Sequence, residues 1–385
     1  MIGTVSSRRL LVRVASGMAL AVLAVLVLAL GSWGGLLLAF SGPGNSLSRV
    51  LLASAFCTAS VVTLIALFLR RWRWRALGAF AGLCSVPVVL WASIEPSNDR
   101  DWRPEVAVLP YATISGNRVT VQNIRNFDYR TETDYKIAYY DRSFDVTQLR
   151  SVDVITSYWM GPAIAHVFVS FGFVGDEYLA VSIEVRKPKG DDYSTLKGLF
   201  RQYELIYVVA DERDVIRLRT NYRLDPPEQV YVYRTNIGTE SAQRLFLRYM
   251  DRINALRSKP EFYNTLTSNC TTAIWMNDSA DPGRVPFSWK IVASGYVPEY
   301  LYEEGHLANT GLSFAELQRR DHINARARAA DSSADFSRLI RNTGDDRTGA
   351  AQEITNETKI LVPAMALTRS SGLMTSVSVP RSRSL

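Results

Sequence analysis

Cys270 and His166 are the two side chains whose types allow covalent chemistry together, because a thiol becomes a nucleophile when a neighbouring base takes its proton. The polar run Asn264–Asn269 gives way to Cys-Thr-Thr-Ala-Ile-Trp-Met, which reads as a short helix starting near Cys270, with Ser268 or Asn269 as N-cap. A cysteine in a first helical turn meets free backbone N–H groups and the positive helix end, which favour thiolate over thiol. The same N–H groups can hold the oxyanion formed when a thiolate attacks an ester or amide carbonyl. Of three histidines, His166 sits in the strand-like run Ala-His-Val-Phe-Val-Ser-Phe-Gly-Phe, whereas His306 and His322 lie in polar segments expected to be exposed. The bland alternatives are a satisfied core imidazole and an inert buried thiol.

A third group should orient the imidazole. On the neighbouring run 178–186, Ser182, Glu184 and Arg186 share one face. An odd-length turn centred on Gly175 puts Glu184 opposite His166, and a two-residue Gly175-Asp176 turn points it away. Glu184 is thus the expected third catalytic residue, with Asn269, Arg186 and Ser182 as candidate substrate contacts. Arg125, Arg130 and Arg186 have the chemistry to receive phosphate or carboxylate, although surface ion pairing is the simpler reading of each. Asp211-Glu212-Arg213-Asp214 reads as a solvated charged turn, and the sequon Asn269-Cys270-Thr271 as coincidence. With no Cys-x-x-Cys, His-Glu-x-x-His or Asp-rich calcium loop, neither a metal nor a cofactor is expected.

These groups need a scaffold. Strand-like runs fall at 107–109, 118–121 and 136–140, then at 165–173 and 178–186 as a β-hairpin, at 204–209 with 215–219, and at 229–234. A helix over about 239–257 follows from Leu245, Phe246, Tyr249, Met250, Ile253 and Leu256 at spacings of three and four, and further helical pieces fit 297–303 and 314–330. The reading is one α+β domain over 95–330. The polar stretch 331–385, with one apolar island at 360–367, is expected to be disordered or loosely docked.

Ahead of this domain, 14–48, 50–69 and 76–94 carry no charged side chain, and each is long enough to cross hydrocarbon as a helix. Residues 1–94 are therefore a membrane anchor of three spans, and a cleaved signal peptide is the weaker reading of the first. Arg8, Arg9 and Arg13 before the first span and Arg70, Arg71, Arg73 and Arg75 after the second put the N-terminus inside. Three crossings then deliver the domain to the periplasmic side of an inner membrane. The chain's +7 charge invites a nucleic-acid reading, but eight arginines and no acidic residue lie in 1–94, leaving 36 basic against 37 acidic residues beyond. A domain so near neutral excludes a basic footprint for DNA or RNA. Cys57 and Cys84 fall within spans, so Cys270 is alone in the soluble part and has no intradomain disulfide partner.

Four pieces in order, Asn126-Phe-Asp-Tyr-Arg-Thr-Glu132, the His166 strand ending Ser170-Phe-Gly-Phe173, Ser182-Ile-Glu-Val-Arg186, and Thr267-Ser-Asn-Cys-Thr-Thr272, resemble the Lnb N-terminal periplasmic domain family. The resemblance implies a permuted papain/NlpC-like thiol enzyme, His strand before nucleophile helix, with Cys270 and His166 in the roles of the family's Cys and His. It also implies acyl transfer to a lipoprotein or membrane lipid substrate; a cysteine peptidase or amidase and a non-catalytic envelope binding protein are the alternatives. Three spans before the domain and a polar tail after it give a layout different from Lnb itself. An apolar groove beside Cys270 would favour acyl chains, and a polar one peptides.

Overall fold

The computed structural model describes residues 2–277, 285–308 and 311–342, with side chains from residue 11 onward. Three apolar helices lead: α1 (Ile2–Ser41), α2 (Ser46–Phe68) and α3 (Arg73–Ser93), with membrane-length segments Leu11–Ser41, Ser46–Phe68 and Arg73–Ser93. The first span ends at Ser41 rather than 48, because Gly42 to Asn45 make a tight uncharged turn that hydropathy alone cannot see. Asn45 Oδ1 accepts the Ser48 N–H at 3.0 Å and caps α2. Small residues bring α1 against α2: a Cβ at Gly34 would come within 2.5 Å of the Phe56 ring.

The soluble domain contains α4 (Pro104–Ala107) and ten strands: β1 (Tyr111–Ser115), β2 (Arg118–Arg125), β3 (Asp128–Tyr129), β4 (Tyr135–Lys136), β5 (Tyr139–Asp145), β6 (Leu149–Tyr158), β7 (Ala165–Phe173), β8 (Glu177–Arg186), β9 (Glu204–Ala210) and β10 (Gln229–Arg234). Eight form a mixed sheet in the order β1-β2-β9-β8-β7-β6-β10, with β5 also on β2. Its helices are α5 (Glu212–Arg217), α6 (Thr239–Ser258), α7 (Cys270–Asn277), α8 (Trp289–Val292), α9 (Val297–Glu303), α10 (Phe314–Asp321), α11 (Asn324–Ala329) and α12 (Phe336–Arg341). The α+β class expected from the sequence is the one observed.

Helices cover both sheet faces, so the central strands are apolar almost throughout. On one face Val169, Phe171, Val181, Ile183 and Tyr207 pack under Phe246, Tyr249 and Met250 of α6 and Ala273 of α7. On the other, Ile155, Phe168, Ala180, Ile206 and Val208 pack under Val215 and Ile216 of α5, Ala327 of α11, and Phe336 and Ile340 of α12.

The β7–β8 hairpin turns through Val174 to Asp176, with Gly175 at φ +85° and Asp176 at φ +58°. Its pairs run from Phe173↔Glu177 to Val169↔Val181 and stop there. β7 nonetheless stays paired to β6 as far as Ala165, and β8 to β9 as far as Arg186. The sheet therefore forks between its two central strands, at the end that carries His166 and Glu184.

Several expectations change. Residues 107–109 are not a strand, since Pro104 starts a helical turn there and β1 begins at Tyr111. The run 215–219 is helical: Asp211 Oδ1 accepts the Arg213 N–H at 2.9 Å, capping α5, and a π-helical turn, Leu218–Tyr222, continues it. β6 was not expected. Its Asp153, Thr156 and Ser157 are polar yet fully buried, which breaks the hydrophobic pattern. Residues 331–342 are ordered on the domain rather than loose, with Phe336 and Ile340 fully buried; the expectations for 343–385 lie outside the described residues.

Candidate active site

Cys270 is the first residue of α7, and Asn269 caps it. Asn269 Oδ1 accepts the Thr272 N–H at 2.9 Å and the Thr272 hydroxyl at 3.0 Å, while its own N–H donates to Thr272 Oγ1 at 2.9 Å. Its Nδ2 donates to Thr265 O at 2.9 Å. Each polar group of Asn269 is thus committed to the nucleophile turn, and it acts as a brace rather than a substrate contact. Thr271 Oγ1 donates to Ile291 O at 2.5 Å, tying α7 to α8.

The half-buried thiol packs with the α6-face core, and the backbone N–H groups of Val167, Thr271 and Cys270 itself favour its ionised form. Val167 lies past the last β7–β8 pair, where its edge of the strand is open. The imidazole of the preceding residue is on the opposite sheet face, 5.5 Å from the Phe168 ring between centroids. Thiol and imidazole thus meet the same stretch of β7 from two sides of the fork.

His166, Ser182 and Glu184 form one chain of contacts. His166 Nε2 lies 2.6 Å from Ser182 Oγ, and Ser182 Oγ donates to Glu184 Oε1 at 2.8 Å. A hydroxyl has one proton. With it given to Glu184, Ser182 must accept from Nε2–H, which leaves Nδ1 as the basic nitrogen of the neutral ring. Glu184 Oε1 is 3.8 Å from Nε2. The odd-length turn does place Glu184 opposite His166, but Ser182 stands between them as an intermediary rather than a substrate contact.

Behind Glu184 lies a set of groups the sequence did not single out. Arg219 Nη2 donates to Glu184 Oε1 at 2.9 Å and its Nη1 to Val215 O at 2.8 Å, with the guanidinium 5.1 Å from the Phe168 ring centroid. Arg219 Nε lies 3.9 Å from Glu228 Oε2, and Arg223 Nη1 is 2.9 Å from Glu228 Oε1. Ser157, also on Glu228, pairs with His166 across β6–β7. Arg223 Nε reaches Glu132 Oε1 at 3.2 Å. Arg219 was hidden in an apolar run read as a strand. Two arginines flanking an aliphatic run that precedes a Pro-Pro turn were the available signal.

The electrostatics differ from the expectation at Cys270. Burial pushes the thiol up from its ordinary value, and the three N–H groups oppose this without cancelling it. Burial first, then the Arg219 charge, pushes His166 down to about 4. Burial alone would raise the Glu184 carboxyl, but Arg219, then His166, Arg125 and Arg223, outweigh it and hold it well below the usual carboxylate range. At neutral pH the pair is therefore neutral thiol and neutral imidazole beside an ionised carboxylate, and the helix end does not by itself make a thiolate.

A cavity of about 290 Å³ lies on the α6 face, lined by the sequence neighbours of Cys270 and His166 rather than by those two residues. Val167, next to His166, and Thr271, next to Cys270, both line the cavity, with Val154, Leu245, Ile274 and Leu301 among its apolar walls. His306 also lines it. His322 is half-buried rather than exposed and lies 5.0 Å from the Tyr231 ring between centroids.

The other candidates are structural. Arg186 is buried, its nitrogens donating to Val106 O, Asn98 Oδ1 and Ala107 O at 2.8–2.9 Å, with the guanidinium 4.3 Å from the Trp102 ring centroid. It braces the linker from the membrane. Arg125 is buried against Asp214 at 2.7 Å, and Arg130 pairs with Asp134 at the surface. The run 211–214 is no solvated turn, because Glu212 and Asp214 are fully buried. Among the described residues no cluster of three or more His, Cys, Asp or Glu is placed to hold a metal.

The molecule is thus an α+β domain held by three membrane-length helices, with a helix-end thiol and a strand imidazole at a fork in its sheet. Residues 135–295 match the family model of the Lnb N-terminal periplasmic domain, the family that the sequence motifs resemble. The match takes in His166, Ser182, Glu184 and Cys270 and begins after the 126–132 run. Spans and family together make this a membrane protein with a periplasmic domain. No curated protein and no solved structure matches the chain.

Proposed function

We propose that this protein is a membrane-anchored thiol acyltransferase of permuted papain-like design, in which Cys270 carries the acyl group between a membrane lipid and an amine on a lipoprotein. The cavity carries the reading: its apolar walls, joined to the thiol's own surroundings through Val167 and Thr271, suit an alkyl chain and offer little to a peptide. The arginines around the spans support an N-terminus inside and a domain on the periplasmic side of an inner membrane.

In the proposed reaction His166 Nδ1 takes the thiol proton as sulfur bonds to the ester carbonyl carbon. The N–H groups at the start of α7 receive the oxyanion. The ester C–O bond then breaks, and the imidazolium returns the proton to the departing alkoxide. An amine next attacks the thioester, forming the amide C–N bond as the C–S bond breaks. Its proton passes through His166 back to the sulfur, which restores the thiol. The ionised Glu184, acting through Ser182, stabilises the imidazolium in both halves.

The test is to incubate the full chain in phospholipid vesicles and seek a hydroxylamine-labile acyl mass on the Cys270 peptide. The expected result is an adduct in the native protein and none in Cys270→Ala. Its absence, or its persistence in a correctly folded His166→Ala at the native rate, would overturn the reading.

A further inference from the structure

Three contacts seat the domain on its own membrane helices. Phe200 lies 5.5 Å from Phe40 between ring centroids, and Gln202 Nε2 donates to Ser41 Oγ at 2.6 Å. Arg201 Nη1 donates to Trp91 O at 2.9 Å, its guanidinium 3.5 Å from the Trp91 ring centroid. Phe40, Ser41 and Trp91 stand at the ends of α1 and α3 that share one side of the membrane, where aromatic and arginine side chains anchor helices at the headgroup level. The segment leading to Phe200 is therefore held at the height of the lipid–water boundary.

That segment bears an exposed leucine. Leu196 is 51% exposed and caps the 3-10 turn Lys197–Leu199 that runs into Phe200. Four residues of such a turn span roughly 8 Å, comparable to the ~5–8 Å of headgroup region on each side of the hydrocarbon. A second exposed leucine comes from the nucleophile loop: Thr265 Oγ1 donates to Thr195 O at 3.0 Å, and the adjacent Leu266 is 57% exposed. Tyr193, 46% exposed and 6.1 Å from Tyr203 between ring centroids, lies on the same strap. Leu196 and Leu266 each leave more than half of their surface to water, and continuity with the helix ends places that surface beside an apolar phase.

We infer that Leu196 and Leu266 form a rim that inserts among the lipid acyl chains of the leaflet facing the domain, holding the Cys270 loop at the bilayer surface. The contact requires only the fold and the spans, so it stands whether or not Cys270 is a nucleophile. Within the proposed function it would let an acyl donor reach the thiol without leaving the leaflet. Burying two leucine side chains favours the docked position, which fixes a domain already tethered at Phe200 and Arg201.

The experiment uses the full chain in phosphatidylcholine vesicles containing a phospholipid with a photoactivatable diazirine in mid-acyl chain, followed by mapping of labelled residues. The expected result is label at Leu196 and Leu266 besides the spans, reduced about tenfold at the rim by the double variant Leu196→Asp, Leu266→Asp while span labelling is unchanged. Label confined to the spans, or reaching the two leucines only from a headgroup-linked diazirine, overturns the inference. Label on Ile274 or Trp275 with none at the leucines reports entry into the cavity and overturns it equally.

Discussion

The two faces of the central sheet bury different chemistry, and the site takes one group from each. Under α6 and α7 the core is Val, Ile, Leu, Phe and Tyr, and it opens into an apolar cavity beside the thiol. Under α5, α11 and α12 the core is crossed by buried charge. Asp153 meets Arg234 and Arg341 at 2.5 and 2.7 Å, and Glu212 meets Arg341 at 2.5 Å. The imidazole belongs to this second face, with Glu184, Arg219, Glu228 and Arg223 behind it. A thiol kept neutral by an apolar setting and a base held by a polar one require opposite surroundings. A forked sheet supplies both within a few residues.

The largest expected effects are on stability and set the faces against each other. Asp153→Ala takes the carboxylate from Arg234 and leaves Arg341 with Glu212 alone, which should cost about 3–5 kcal/mol. Phe246→Ala, a cavity in the apolar face, should cost a similar ~3–5 kcal/mol. Thermal unfolding of the full chain in detergent measures both. A loss under about 1 kcal/mol for Asp153→Ala would mean that the charge network is dispensable and that the contrast between the faces is one of composition only.

A somewhat smaller effect follows from the suppressed basicity of His166. With its folded value pushed down to about 4 and an unfolded value near 6.5, the unfolded chain binds the extra proton between those limits. Stability should therefore fall as pH drops from about 6.5 to 4, by on the order of 3 kcal/mol from this group. His166→Gln should remove that component, read as the difference between the two unfolding-versus-pH curves. Superimposable slopes would show that the imidazole is solvated and the fork open to water.

Much of this contrast was legible in the sequence, and what was not has physical causes. The His166 hairpin, its odd-length turn and the α7 start were visible because each depends on local patterning and capping. β6 was not, since Asp153 and Ser157 break the alternation and are satisfied only by Arg234, Arg341 and Glu228, all distant in sequence. Arg219 was lost in an apolar run because a π turn orients it toward Glu184. The charge state of Cys270 was misjudged for a related reason: the helix end is a local feature, whereas desolvation appears only when α7 packs against the sheet. Alkylation of Cys270 by iodoacetamide should accordingly follow thiol ionisation at or above the ordinary 9.0, because burial raises it. Rapid labelling that persists below pH 7 would restore the activated-thiolate picture.

The smallest expected effect tests the join between the faces. Ser182 is the sole link through which Glu184 holds Nε2–H in this geometry, but the carboxylate is only 3.8 Å from that nitrogen. Ser182→Ala removes the intermediary and leaves space into which Glu184 can advance, so one hydrogen bond is replaced by a longer one. The cost should be near 1.4 kcal/mol, about a tenfold slower acyl-cysteine formation. Because the carboxylate then touches the ring more directly, the acid limb of the rate–pH profile should move upward. Ser182→Thr, which keeps the hydroxyl on a strand-compatible side chain, should recover both rate and limb. A purely structural serine would lower the yield of folded protein without moving the limb. A loss beyond a thousandfold would instead mean that Ser182 touches the reacting atoms and that the base is reached through it.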